Sequence, residues 1–525
     1  MKGESDNCVY IVGAGPGDPG LMTARSLELV AAADVIYYDR LIPPTALDGA
    51  RPEAELIYVG KRPGVVNVPQ EEIIQRMIES ARGGLMVVRL KGGDPFLFGR
   101  GAEEAEAVRE AGLDFEVVPG VTAGVAATAY AGIPVTHRQD SSAVAFVTGH
   151  QDPSKPDGAI DWQALAAFPG TLVFYMGVNR LAENSAALIA GGRPADEPAA
   201  AIQQGTMPSQ RVVVATLGTI AAEVEEQKIK APALIVVGTV ARRREELKWF
   251  EDRPLHGRKV VITRARTQAS GFSRTLRSLG ADVVELPSIA IEPLIGSDEV
   301  RAAVLAIAGY DLLCLSSPNA VELFFEALAG NGLDARALAG VRIAAVGPGT
   351  AEALKDHRIE ADVLPERSVA EGLIEALEGT DMKGLKVLIA RAEEAREVLP
   401  EALAGRGAEV DVVPLYRTVP GSLESDSIES AADAGWITFT SASTVRNLVS
   451  VMSEGLPPAA RIISIGPATS EAVRAAGLAV AVEASRHDLD GLLEALLDDV
   501  QATTARTDSP APVKSVSTGS LRRSG

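Results

Sequence analysis

Two segments, IVGAGPGDPG (Ile11–Gly20) and RLKGGDPFLFGRG (Arg89–Gly101), follow short apolar runs and combine glycine, proline and acid. Glycine lets a backbone come close to a ligand and turn through positive φ. The first segment partly meets the dinucleotide fingerprint G-x-G-x-x-G, and Asp39, at the end of the next apolar run, stands where a ribose-binding acid would. Three details oppose a phosphate there. Pro16 and Pro19 remove backbone donors that a pyrophosphate would use, Asp18 adds negative charge, and Asp94 puts an acid in the second loop as well. Two acidic, proline-containing glycine loops suit a cationic, hydroxyl-rich ligand better.

S-adenosylmethionine, with its sulfonium, ribose and amino acid and no phosphate, meets that description. The formal net charge of −20 opposes general nucleic-acid binding, so an anionic substrate needs a local basic cluster acting against the global field. Five histidines and two cysteines form no cluster of metal-ligand spacing, and no metal is expected. His137, in PVTHR, reads as a packing or substrate-bonding residue. Cys314, inside YDLLCLSS, reads as a buried thiol. The apolar runs fall short of a membrane span and MKGESDN has no apolar signal core, so a cytoplasmic protein without membrane contact is expected.

The elements that must carry these residues follow from the pattern. From Val9 to about Arg244, β-branched runs (VYIVG, ADVIYYD, LMVVRL, FEVVP, AVAFVTG, TLVFYMG, ALIVVG) alternate with helical periodicity, which predicts α/β layers. With 525 residues the chain exceeds one core, and the charged stretch ARRREELKWFEDRPLHGRK is the expected break between two units. The second unit repeats itself. KVVITRARTQ from Lys259 matches KVLIARAEEA from Lys386, DLLCLSSPNAVELFFEAL from Asp311 matches GWITFTSASTVRNLVSVM from Gly435, and VRIAAVGPGTAEAL from Val341 matches ARIISIGPATSEAV from Ala460. Two related α/β lobes around a cleft are predicted. The expected divisions are residues 8–246, 257–500 and a disordered tail, 501–525, whose Ser/Thr/Pro-rich composition has no apolar period.

Residues 9–250 closely resemble uroporphyrinogen-III C-methyltransferase, of the tetrapyrrole methylase family. The resemblance is carried in order by VGAGPGDPGLMT, YYDRL, VGKR, VPQEEI, VVRLKGGDPFLFGRGAEE, VVPGVTAGVAATAYAGIPVTHR, FVTGH, VFYMG and PALIVVG. It implies two α/β lobes, S-adenosylmethionine bound between them, and a homodimer. Matched by motif, the donor contacts would be Pro16, Gly92, Gly93, Asp94, Leu97, Thr122, Ala123, Met176 and Gly205, although Gln204 stands where relatives often have Asn. Asp39 and Lys61 match the family's proposed acid–base pair. Arg40, Arg89, Arg100 and Arg138 flank these motifs and suit the carboxylates of a tetrapyrrole.

Residues 257–500 resemble uroporphyrinogen-III synthase through VVITRA, DLLCLSSPNAVELFF, AAVGPGTAEAL, PLYRT, ITFTSASTV and ISIGPATSEAV. The pair of resemblances implies one α/β enzyme that closes hydroxymethylbilane to uroporphyrinogen III and methylates it twice to precorrin-2. Arg264, Ser317, Arg391, Thr440, Ser441 and Thr469 are the candidates to hold the substrate, with Tyr416 a candidate proton donor. An ordinary helix N-cap is the competing reading for each Ser or Thr. Three other readings compete: a methyltransferase with a non-catalytic tetrapyrrole-binding second unit, a two-lobed solute-binding module, and a nicotinamide-dependent oxidoreductase built on the first loop.

Overall fold

The computed structural model describes residues 8–43, 45–60, 68–150, 160–263, 266–367, 369–421, 425–452 and 455–507. The chain divides into two compact units, residues 1–258 with 275–282, and residues 259–274 with 283–525.

In the first unit, β1 (Cys8–Gly13), β2 (Val35–Tyr38), β3 (Glu55–Tyr58), β4 (Val87–Lys91) and β5 (Asp114–Val118) form a sheet in the order β3-β2-β4-β1-β5. Every pairing in it is parallel. Successive residues of β1 serve opposite faces: Cys8, Tyr10 and Val12 pack into one apolar layer, Val9 and Ile11 into the other. Burial on both faces is what the unbroken β-branched runs encode. A second sheet follows from β6 (Val144–Thr148), β7 (Thr171–Tyr175), β8 (Pro198–Gln203), β9 (Arg211–Thr216) and β10 (Ala233–Val237), in the order β6-β7-β10-β8-β9. It is mixed: β6 and β7 are parallel, whereas β10 runs antiparallel to β7 and β8, and β8 to β9.

The second unit contains β11 (Lys259–Ile262), β12 (Asp282–Glu285), β13 (Ile289–Pro293), β14 (Leu312–Leu315), β15 (Arg342–Ala345), β16 (Lys386–Ala392), β17 (Glu409–Pro420), β18 (Trp436–Phe439), β19 (Arg461–Ser464) and β20 (Val480–Glu483). They build two sheets, β12-β11-β18-β19-β20 and β13-β17-β16-β14-β15. The sequence repeat is the symmetry of these sheets. The parallel run β11-β18-β19 of one sheet corresponds, segment for segment, to β16-β14-β15 of the other. The chain leaves the first of these sheets after β12, builds the whole of the second, and returns for β18.

Two expected boundaries move. The division falls near the end of the charged stretch, after Arg258, and the part of the stretch before it belongs to the first unit, with Phe250 and Leu255 buried. The final helix, Leu489–Thr507, runs past the expected start of the tail at residue 501. Leu492, Leu496 and Val500 recur at helical spacing on its buried face, and Thr503 and Thr504 return hydroxyl bonds to the preceding turn. The remainder of the expected tail, residues 508–525, lies outside the described residues.

Both cysteines are buried, and burial raises the Cys314 thiol to about 12. The folded chain is therefore expected to leave a thiol reagent unreacted at pH 8 and to react with both cysteines once unfolded. Rapid labelling of one thiol in the native protein would contradict this packing.

Candidate functional site

Strands β4, β1 and β5 lie side by side and parallel, so the segments that follow them leave one carboxyl edge. There they cross at contact distance. Gly93 N donates to Gly15 O at 2.6 Å and Gly15 N to Gly93 O at 3.2 Å. A β-carbon on Gly13 would stand 2.5 Å from Gly120 N, and one on Gly120 would stand 2.2 Å from Gly93 O. Asp94 stitches the crossing together: Oδ1 accepts from Phe96 N at 2.9 Å and Leu97 N at 3.1 Å, and Oδ2 accepts from Gly120 N at 3.1 Å. Its carboxylate is thus engaged with loop backbone. Gly92 is held by packing, since its β-carbon would lie 2.6 Å from Leu41 O. Gly93 differs. Its φ is +68°, and its β-carbon would meet only Ala123 N, at 4.0 Å. Open space therefore lies in front of Gly93, beside the start of the helix Ala123–Tyr130.

The second sheet of the unit closes on this edge. Thr122 Oγ1 lies 2.6 Å from the Tyr175 hydroxyl, which also accepts from Gly124 N at 2.6 Å, and the Phe98 ring sits 5.0 Å from the Tyr175 ring. Met176 follows with φ +55° and is 55% exposed. Half-buried Pro16 precedes Gly17, whose β-carbon would lie 2.7 Å from Met207 Sδ. Gly205 is a packing glycine: a β-carbon there would be 2.1 Å from Ala127 Cβ, so its bareness admits a helix. Five non-glycine residues with positive φ, Phe98, Arg100, Met176, Gln204 and Thr206, occur in these same loops. Backbone strain of this kind persists where surrounding structure fixes it and gathers at functional sites. The helix after the first loop starts only at Ala24, capped by Thr23, and not directly at the glycines as the dinucleotide fingerprint requires. Tyr175 and Thr206 were not singled out from the sequence; for Tyr175 the signal is a tyrosine that ends its strand, immediately before Met176-Gly177.

Asp39 leaves β2 beside β4. Arg89 Nη2 donates to its Oδ1 at 2.8 Å. The same guanidinium donates through Nε to Glu104 Oε1 at 3.0 Å, where Lys91 Nζ at 3.1 Å and Gln70 Nε2 at 2.8 Å also bond. The side chains of Arg89, Lys91 and Glu104 are 3%, 4% and 0% exposed, against 28% for Asp39. Arg89 is therefore corrected as a substrate-binding residue. It is buried in β4 and spends its donors on Glu104 and Asp39. Burial lowers its guanidinium, and the two carboxylates more than offset this. Burial and then the Arg89 charge push the Lys91 ammonium below its ordinary value. Glu104 Oε2 has no hydrogen-bond partner among the described residues. Arg40 and Arg138 are exposed, whereas Arg100 forks onto Glu103 at 3.0 and 2.6 Å, a surface pair of small energetic weight. His137 Nδ1 stands 2.8 Å from Asp140, whose carboxylate is paired with Arg243, so it belongs to a local polar cluster. Lys61 lies outside the described residues.

In the second unit the structure brings together Ser317 and Tyr416, with Ser317 Oγ 2.9 Å from the Tyr416 hydroxyl. Ser317 also caps the helix Pro318–Gly330 by accepting from Ala320 N. Burial raises the Tyr416 phenol above its ordinary value, with Ser317 and Asn319 pulling the other way. Arg391 is corrected as a free anion-binding residue: its guanidinium is buried and committed to Arg396 O and Glu397. Thr469 is likewise corrected, being 4% exposed within the first turn of the helix Pro467–Ala475. Ser441 is an N-cap that accepts from Thr444 N at 3.3 Å, and half-buried Thr440 precedes it after β18. Arg264 lies outside the described residues. No group of three or more potential metal-ligating His, Cys, Asp or Glu side chains occurs among the described residues, and no described helix is long and apolar enough to cross a membrane.

Comparisons with known proteins follow the same division. Residues 8–221 match the family of Tetrapyrrole (Corrin/Porphyrin) Methylases, and residues 270–494 match Uroporphyrinogen-III synthase HemD. The porphyrin biosynthesis protein HemD of Ruminiclostridium josui is 39% identical over 499 residues, covering 93% of this chain and 97% of that protein. The chain belongs to that family, a tetrapyrrole methylase joined to a uroporphyrinogen-III synthase. An S-adenosyl-L-methionine-dependent uroporphyrinogen III methyltransferase of Methanosarcina barkeri is 50% identical over 232 residues, 44% of this chain and 91% of that protein. A siroheme synthase of Stutzerimonas stutzeri is 51% identical over 252 residues, 48% of this chain and 53% of its own length. The first unit is hereafter the methylase and the second the synthase.

The buried charge network gives a stability test. Glu104→Gln leaves Arg89 and Lys91 as buried cations without their shared anion, and is expected to destabilise the methylase by about 3 kcal/mol. Scanning calorimetry should show the methylase transition falling while that of the synthase stays in place. An unchanged methylase transition would mean that Glu104 is not the anchor of the network.

Proposed function

We propose that this tetrapyrrole-biosynthesis enzyme closes hydroxymethylbilane to uroporphyrinogen III in the synthase and methylates that product twice, to precorrin-2, with S-adenosylmethionine in the methylase. The observation that carries the methylase half is the open space before Gly93. The other glycines of the crossing are packed against backbone, and this one faces a space between the loop and the Ala123 amide. A donor without phosphate fits loops whose acids, Asp18 and Asp94, are present but already bonded to backbone amides. The donor, when bound, supplies a methyl group already activated on a sulfonium.

What the chain's own groups do follows from their surroundings. The loops bring the reacting carbon and the methyl into line, and holding two reactants in such geometry supplies much of the rate. The attacked carbon must then lose a proton. Asp39 is the candidate acceptor: Arg89 orients it through one oxygen, and it retains exposure at the carboxyl edge where the loops meet. Exposed Arg40 and Arg138 remain candidates for substrate carboxylates.

In the synthase the work is to hold a flexible polyanion so that the productive carbon meets the electrophile. Tyr416, kept protonated by burial and bonded to Ser317, is the candidate donor to the departing hydroxyl. The helix starts after β14 and β18, capped by Ser317 and Ser441, offer backbone amides to carboxylates.

The two halves separate by mutation. Asp39→Ala should lower methylation by a factor of about 100 or more while ring closure continues at the wild-type rate. Tyr416→Phe should slow ring closure and leave methylation of supplied uroporphyrinogen III intact. Product analysis by mass and isomer reads both; full methylation by Asp39→Ala would remove Asp39 from the mechanism.

A further inference from the structure

Residues 244–258 lie outside the stretches matched to either family, yet they reach the first glycine loop by two separate routes. The first route runs through Tyr130, the last residue of the helix Ala123–Tyr130. Its hydroxyl donates to Asp18 Oδ2 at 2.6 Å. Its ring touches Trp249 at 5.0 Å and Phe250 at 4.8 Å between centroids. Trp249 is itself anchored, donating from Nε1 to Ala129 O at 3.0 Å, and the Arg253 guanidinium covers Trp249 and Phe250 at 4.8 and 4.9 Å. Burial, and then the bond to Asp18, raise the Tyr130 phenol far above its ordinary value, so it remains a donor at any working pH.

The second route runs through Glu251. Its Oε1 accepts from Gln210 Nε2 at 2.8 Å, and Gln210 Oε1 accepts from Thr206 N at 2.9 Å. Thr206, at φ +73°, then accepts through Oγ1 from Asp18 N at 3.0 Å. Both routes end on Asp18, whose other carboxylate oxygen holds Gly20 N at 2.8 Å. Arg244 secures the near end of the segment by donating to Ala131 O at 2.6 Å and pairing with Glu251 at 3.3 Å. The close approach is built in: a β-carbon on Gly132 would stand 2.5 Å from the Leu247 carbonyl carbon.

The loop carries glycine at positions 13, 15, 17 and 20, and glycine loses more conformational freedom on ordering than any other residue. If it were ordered only on binding, that loss would be subtracted from donor affinity. Here the fixing groups lie mostly outside the loop. We propose that Arg244–Arg258 is a clamp that preorganises the methyl-donor loop, with Tyr130 the positioning residue through which it acts. The inference rests on the reading that this cleft takes S-adenosylmethionine. It makes the stretch that joins the two catalytic units part of the methylase's binding apparatus.

The test uses the full chain, titrated calorimetrically with S-adenosylhomocysteine, with the methylase melting transition as the measure of intact folding. Tyr130→Phe keeps the ring and its packing and removes one bond to a carboxylate. It is expected to bind the probe about fivefold more weakly and to raise KM for the donor with kcat at saturation retained. Trp249→Ala, which removes the support of that ring, should weaken binding at least as much. Wild-type affinity in Tyr130→Phe would overturn the proposal, as would a Trp249→Ala protein that melts earlier but binds the probe as tightly as wild type. A wild-type chain that does not bind the probe would instead overturn the donor-site reading, and the clamp with it.

Discussion

Three chain segments meet behind the methylase cleft closer than any side chain would permit. With β-carbons excluded at Gly13 and Gly120 by backbone atoms 2.5 and 2.2 Å away, the first, second and third loops of the parallel sheet touch directly. The consequences spread outward from there. Asp94 is drawn in to satisfy the amides of the second and third loops, and Gly93 is turned to φ +68° so that its face opens away from the crossing. The start of the helix Ala123–Tyr130 is fixed in front of it, with Tyr175 bonded to Thr122 and Gly124 from the other sheet. A glycine loop after a strand is thus used here to let backbone approach backbone. The ligand space is what remains once that packing is complete.

Behind this edge lies a quartet of charges, Asp39, Arg89, Lys91 and Glu104, in which only Asp39 retains substantial exposure. A buried ion pair adds little net stability, but removing one member leaves a bare charge. Such a network suits the orientation of a single group at the surface better than the strengthening of a fold. The synthase reaches a related result with neutral groups: Ser317 and Tyr416 sit on neighbouring elements at a carboxyl edge, and burial keeps the phenol protonated.

Much of the architecture was legible because both faces of the parallel strands are buried, which forces runs such as VYIVG and LMVVRL. The repeat in the second half was legible because two similar sheets need similar strands and helix starts. What the sequence hid was partnership. Arg89 and Arg391 look like anion binders beside glycine and hydroxyl motifs, and only folding reveals Glu104 and Glu397 as the groups that consume them. A warning was present for Arg89, a charge within VVRLK, in a strand buried on both sides. β8, PAAAIQ, gave no strand signal because alanine has no β preference, and the charged stretch after Arg244 concealed Trp249 and Phe250 among arginines and acids. Gly205 was expected from its motif as a donor contact, whereas its lack of a side chain admits Ala127.

The most direct measurement is an anaerobic incubation of the purified chain with hydroxymethylbilane and S-adenosylmethionine, with products resolved by mass and by isomer. The account predicts a dimethylated product of the type III series from this one protein. Unmethylated type III product would contradict the donor site at Gly93, and the type I isomer alone, which forms without an enzyme, would contradict the synthase built on Ser317 and Tyr416.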